Sequence, residues 1–121
     1  NNVSGIRWVH EDALKFVRRE AKRGNKYNGI IMVPPPYGRG PDGEKWTLQE
    51  KLDELIGYSK ELLTPANNFF ILSMYAAGLS PLVGLNVVKT HFNTQLDFGE
   101  FYLKCSSGSD LPMGTFVRFR S

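Results

Sequence analysis

The sequence predicts an α/β fold, a mostly parallel sheet with helices in its crossovers and an antiparallel C-terminal edge. Three observations carry that reading. Strand-like segments alternate with segments of helical period along the chain. Gly29–Val33 and Asn68–Tyr75 are continuous apolar runs, as strands covered on both faces require. The last two strand candidates follow one another with no helix between them. The predicted order is strand, helix, strand, helix, strand, helix, strand, strand, with right-handed crossovers.

Each element has local signals. Ile6-Arg7-Trp8-Val9 alternates loosely and is rich in β-branched and aromatic residues, so it reads as a short strand. Asp12 is a good N-cap for a helix from Ala13 to about Arg23. Leu14, Val17 and Ala21 fall at helical spacing there, and cations gather toward its C-terminus before Gly24-Asn25 closes it. Gly29–Val33 reads as the centre of the sheet and stops at three prolines. After a Gly/Pro loop from Pro34 to Gly43, Thr47-Leu48-Gln49-Glu50 has the form of a capping box. The helix it opens runs to about Leu63, with Leu48, Leu52, Leu55, Ile56, Ser59 and Leu62 on one face, and Thr64-Pro65 ends it. Gly78 breaks the strand at Asn68–Tyr75. Ser80-Pro81 then supplies the N-cap and first position of a third helix, ending near Phe92. Glu100–Lys104 and Thr115–Phe119 are the terminal antiparallel pair, joined by a polar Gly/Ser/Pro loop.

Composition excludes several classes. The 121 residues are 41% hydrophobic and 22% charged, which fits one ordinary domain or part of one and excludes a disordered tail, a collagen and a disulfide scaffold. One cysteine, Cys105, makes no internal disulfide and reads as structural, with no activating neighbour in sequence. No apolar run approaches the roughly 20 residues of a membrane span. With no signal-peptide pattern, the expected location is cytoplasmic and no membrane partner is expected. His10 and His91 are isolated, so no metal site is expected. Charge is uneven: residues 1–40 carry eight Lys/Arg against three Asp/Glu, concentrated in Lys15, Arg18, Arg19, Lys22, Arg23 and Lys26. That excess reads either as attraction to phosphates or as a solvated helix face.

The most unusual segment is the loop from Val33 to Trp46, which leaves the end of an apolar strand, where open α/β sheets bind ligands. Its prolines are stiff and donate no hydrogen bonds, and Tyr37 offers a flat face for stacking. Gly38-Arg39-Gly40-Pro41-Asp42-Gly43 matches a dinucleotide fingerprint in form only. The prolines displace the required strand-to-helix turn, and the next strand brings no acid. Pro34-Pro35-Pro36-Tyr37 also spells a Pro-Pro-x-Tyr ligand of WW-type domains, although it abuts an apolar strand.

Pro34-Pro35-Pro36-Tyr37-Gly38-Arg39-Gly40-Pro41, then Gly43-Glu44 and Trp46, resembles the fourth motif of class I S-adenosylmethionine (SAM) dependent methyltransferases. The nearest likeness is to a bacterial group acting on ribosomal RNA or related nucleic acids, whose motif reads approximately Asp-Pro-Pro-x-Tyr-Gly-Arg-Gly-Pro. Leu111-Pro112-Met113-Gly114 before Phe116 resembles that group's closing segment. The resemblance spans essentially the whole chain and implies part of a three-layer Rossmann-like sheet. Residues 6–12 would be its third strand, 29–33 its fourth and 68–75 its fifth. Residues 1–121 would then be the C-terminal portion of the domain, without the Gly-rich SAM-binding half.

The resemblance also implies roles. Asp12 with Ala13 would receive the adenine of SAM, a role compatible with Asp12 as N-cap. Pro34, Pro35 and Tyr37 would wall the methyl group and target base, and Arg39, between Gly38 and Gly40, would hold phosphate or order the loop. The motif's acid is Val33 here, and valine cannot accept a hydrogen bond from an amine awaiting methylation. The expected function is therefore that of a SAM-dependent RNA methyltransferase, with this portion binding SAM weakly or not at all and inactive by itself. The alternatives are a non-catalytic binding module of the same fold and a Pro-Pro-x-Tyr recognition segment. Without the strand that normally pairs with 29–33, Ile30, Ile31 and Met32 should form a sticky edge. The chain should then self-associate through it or cover it with residues 6–9.

Overall fold

The structure, a computed structural model, describes residues 2–76 and 78–121. Its elements are α1 (Ala13–Lys22), β1 (Gly29–Met32), β2 (Tyr37–Arg39), β3 (Lys45–Thr47), α2 (Leu48–Leu62), β4 (Phe69–Met74), α3 (Pro81–His91), β5 (Asp97–Lys104) and β6 (Asp110–Arg120). Four strands form the main sheet in the order β1-β4-β6-β5, while β2 and β3 form a separate hairpin. β1 and β4 are parallel, with Gly29 opposite Phe69 and Met32 opposite Leu72. β6 runs antiparallel to both β4 and β5. The expected α/β class with its antiparallel C-terminal edge is thus the fold observed.

Alternation along the strands decides what is buried. Met32, Leu72 and Val117 lie in one row across β1, β4 and β6, and Ile30, Phe70 and Phe119 lie in the next. α2 and α3 cover these rows, and all six α2 residues expected to share a face are buried. Phe70, Phe92 and Phe119 pack as a trio with ring centroids 4.8–5.9 Å apart. At Gly84 of α3 a Cβ would sit 2.5 Å from Met74 Cε and 3.1 Å from Val117 Cγ2, so a side chain there would have to displace the Met74 methyl from between helix and sheet. α1 packs beside α2 and adds Leu14 to the core. The described residues supply two of the three layers that the resemblance implies.

Several local expectations change. Residues 6–9 form no strand, and Trp8 is 85% exposed. A four-residue extended segment needs a neighbouring ladder, and no strand of the sheet lies beside it. β1 is the sheet's edge rather than its centre, and Ile31 is 67% exposed. The loop Pro34–Gly43 contains β2, and Leu111–Met113 belong to β6 rather than to a loop. The capping box does not form. Thr47 is extended and paired in β3, its hydroxyl has no partner, and the Leu48 amide donates to Pro36 O at 3.0 Å instead.

Candidate functional site

The start of α1, the whole of β1 with its continuation to Pro35, the β2–β3 hairpin and the Leu55–Leu62 face of α2 line a cleft of about 630 Å³. Chain direction explains the place. β1 delivers Val33 and the rigid Pro34-Pro35 step to the sheet's C-terminal end, where crevices of α/β sheets form. Asp12, Ala13, Val33, Pro34, Pro35, Gly38, Arg39 and Gly40 all line the cleft, although about 20 residues of sequence separate the two groups. Phe16, Val17, Met32 and Leu55 supply apolar lining.

Asp12 caps α1 with one oxygen only. Its Oδ1 accepts from the Lys15 amide at 2.9 Å, while Oδ2 has no hydrogen-bond partner among the described residues. Ala13 opens the helix, so its N–H has no intrahelical acceptor. The site therefore places a free carboxylate oxygen beside a free amide donor, the pair needed to read an aminopurine edge. Glu11, the neighbouring acid, is engaged by Arg19.

The hairpin is held rigidly. Trp46 is buried and its indole donates to Pro35 O at 2.6 Å, tying β3 to the proline step. The Gly40 amide donates to Glu44 O at 2.8 Å across the turn, where Gly43 takes the positive φ of +85° that a side chain would strain. Lys15 of α1 pairs with both Asp42 and Glu44. That bonding, chiefly to Glu44, raises the Lys15 ammonium pKa and lowers that of the Glu44 carboxyl. From the sequence, Lys15 reads only as part of the basic excess, and Trp46 carries no role of its own. Trp46 had a signal, since it belongs to the quoted motif, whereas the Lys15 contacts, 27 and more residues apart, had none.

Tyr37 stands apart from the rest of its motif, 79% exposed and outside the cleft lining. Pro34 is buried, so a WW-type domain could not grip the full Pro-Pro-x-Tyr segment as it lies. Cys105 is half-buried at the β5–β6 turn and does not line the cleft. The basic run on α1 is largely neutralised: Lys15 pairs as above, Arg18 with Glu54, Arg19 with Glu11, and Arg23 with Glu20. Among the described residues Lys22 has no ion pair and Lys26 donates to the Glu61 carbonyl oxygen, so four of the six cations named from the sequence are paired with acids.

No protein-family model and no curated protein matches the chain. Solved structures do. A SAM-dependent methyltransferase from Agrobacterium tumefaciens superimposes with a TM-score of 0.88 at 29% identity, over 95% of this chain and 40% of that one. A protein described as a SAM-dependent methyltransferase from Streptococcus mutans gives 0.65 at 15% identity, over 91% and 29%. A protein described as a methyltransferase, solved with S-adenosylhomocysteine, gives 0.61 at 18% identity, over 88% and 30%. The chain thus spans two-fifths or less of the length of each of these neighbours. At 15 and 18% identity the likeness is one of fold. The chain folds as a methyltransferase-like α/β unit, with a cleft that runs along the parallel strand β1 and past its C-terminal end.

Proposed function

We propose that the cleft is the adenine end of a SAM site and that the chain is the C-terminal portion of a methyltransferase domain acting on RNA, within the ribosomal-RNA group it resembles. The observation that carries this reading is the convergence of Asp12 and Ala13 with Pro34, Pro35 and Gly38–Gly40 on one cleft. The free Asp12 Oδ2 fits as acceptor for the adenine amine, and the Ala13 amide fits as donor to a ring nitrogen. The only acids lining the cleft are Glu11 and Asp12, and Arg19 holds Glu11, so the described residues offer no second free carboxylate for ribose hydroxyls. This supports weak SAM binding and no turnover by the chain alone. When bound, SAM supplies a methyl group on a sulfonium that is already a good leaving group.

The chain's own contribution is alignment. Pro34 and Pro35 give a wall without N–H donors, and Trp46 fixes that wall through Pro35 O. Val33, at the cleft and 56% exposed, gives no acceptor for a substrate amine. That side chain favours a second reading, a methyltransferase-fold module that binds without catalysing.

Calorimetric titration of SAM into the longest natural form of the protein separates the two. We expect binding there, a roughly tenfold loss on Asp12→Ala, since hydrogen bonds to charged groups contribute about 1.5–3 kcal/mol, and methyl transfer to RNA gained or increased by Val33→Asp. Absence of SAM binding in every form would overturn the methyltransferase reading in favour of the binding module.

A further inference from the structure

Two walls of the cleft come from different parts of the chain: the start of α1, with Asp12 and Ala13, and the β2–β3 hairpin, with Gly38, Arg39 and Gly40. One residue is bonded to both. Lys15 lies in the first turn of α1, where its amide donates to Asp12 Oδ1 at 2.9 Å, fixing the carboxylate and leaving Oδ2 free. Its ammonium crosses to the hairpin turn, donating to Asp42 Oδ2 at 2.9 Å and pairing with Glu44 Oε1. The second oxygen of Glu44 is engaged as well, since Oε2 accepts from the Asp42 amide at 3.0 Å. That carboxylate therefore folds back over the turn, into the space that a side chain at Gly40 would occupy. Among the described residues, no other ion pair or hydrogen bond joins α1 to the hairpin.

We propose that Lys15 is a positioning residue that couples the two walls, so that a ligand held at Asp12 also sets the hairpin. The proposal rests on the SAM reading above and deepens it by naming the residue through which the adenine end governs the opposite wall. The route is short. An adenine bonded to Asp12 Oδ2 and the Ala13 amide would order the first turn of α1, the turn that carries Lys15. A fixed Lys15 backbone leaves the side chain less freedom to lose when its ammonium meets Asp42 and Glu44, and those acids hold the turn that follows Arg39 and Gly40. Coupling of this kind is reciprocal: the held hairpin favours the adenine by the same factor as the adenine favours the held hairpin. The strut is suited to coupling more than to holding the fold, because the Lys15 and Asp42 side chains are 47% and 76% exposed and exposed pairs contribute little to stability. Arg18, also on α1, pairs with Glu54 of α2 and lines no part of the cleft, which makes it the natural control.

Lys15→Met removes the ammonium while keeping the apolar stem and the backbone amide that caps Asp12. Calorimetric titration of SAM into the longest natural form of the protein reads affinity. Fluorine NMR of the same protein labelled with fluorotryptophan reads the hairpin through Trp46, whose resonance is assigned by its absence in Trp46→Phe. We expect SAM to shift the Trp46 resonance in wild type and in Lys15→Arg, which restores a cation of similar reach. Lys15→Met should bind SAM about fivefold more weakly, at the low end of coupling between sites, and its Trp46 resonance should not respond. Arg18→Met should match wild type on both readouts. Thermal unfolding of Lys15→Met should stay within about 5 °C of wild type, and a larger fall would make Lys15 a support of the fold and overturn its assignment to the cleft. Wild-type affinity in Lys15→Met, with the Trp46 response intact, would overturn the coupling while leaving the SAM reading in place. Absence of SAM binding by wild type would overturn that reading, and the coupling with it.

Discussion

Along β4, Phe70, Leu72 and Met74 are buried beneath α2 and α3, whereas Phe69, one residue away, is 39% exposed. The same contrast runs across the sheet. The row Met32, Leu72 and Val117 is core, and the adjacent row Ile31, Ile71, Arg118 and Asp97 faces outward. Arg118 in that outer row pairs with Asp97 and lies 5.1 Å from the Phe116 ring centroid, an arrangement typical of a wetted surface. Both faces of β1 and β4 are apolar in sequence, yet only one is covered by helices. Apolar content therefore records what a strand tolerates on each side, and coverage is settled by which elements lie beside it.

The largest test of that contrast is Phe70→Ala. The side chain is fully buried in the aromatic trio, and its loss should cost about 3–5 kcal/mol in urea unfolding. Phe69→Ala removes the same atoms from the open face and should cost less than half as much, because much of that ring already meets water. Equal costs would mean that the outer face is packed.

Legibility in the sequence follows the same division. The covered face of α2 was readable residue by residue, because helical period and burial agree from Leu48 to Leu62. Ser80 and Pro81 marked the start of α3, and the final strands paired as expected. The edge position of β1 was not readable, since a two-faced apolar run says nothing about its neighbour. The β2 strand was hidden by the prolines before it and by Gly38 within it, residues with low strand propensity, and its partner lies beyond a Gly/Pro turn. The α1 cations could be counted in sequence, but their partners Asp42, Glu44 and Glu54 are 27 to 36 residues away. The meeting of Asp12 and Ala13 with Pro34, Pro35 and Gly38–Gly40 was readable only through family resemblance, because nothing local links the start of α1 to the loop after β1. Tyr37 shares the motif, yet it lies outside the cleft lining while Arg39, two residues on, is part of it.

A smaller effect comes from the two faces' contrasting carboxylates. Glu20 of α1 is buried, and its pKa lies below the ordinary 4.5 chiefly because the Tyr27 hydroxyl at 2.5 Å and the Asn25 amide at 2.7 Å donate to it. The same contact raises the Tyr27 phenol pKa. A lowered folded value means that Glu20 stabilises fully above its unfolded value and loses that contribution as pH falls through the folded one. Glu20→Gln should therefore be less stable than wild type near neutral pH, and the two should converge as the solution is acidified below about pH 4. Asp97, 58% exposed opposite Arg118, should contribute only about 0.2–1 kcal/mol, so Asp97→Asn should leave the acid limb nearly unchanged. Thermal unfolding over pH 2–8 in about 0.1 M salt reads both, and parallel acid limbs for wild type and Glu20→Gln would refute the assignment to Glu20.

The smallest effect on monomer stability, and the most direct test of the open edge, is expected from Ile31→Lys. Ile31 is 67% exposed at the centre of β1, whose outer side pairs with no strand among the described residues. Residues 2–10 form no strand that pairs with it, so of the two outcomes expected from the sequence, self-association through this edge is the one we propose. A lysine there should change unfolding free energy by no more than about 0.5 kcal/mol, as at other exposed positions. It should also oppose strand addition, because two edges meeting in register would bring like charges together. Sedimentation velocity should accordingly show mass rising with concentration for wild type and a constant monomer for Ile31→Lys. If wild type is monomeric throughout, β1 is an edge that does not recruit a second copy. If Ile31→Lys instead costs as much as Phe70→Ala, the outer face is core in solution, and the difference between the two faces disappears.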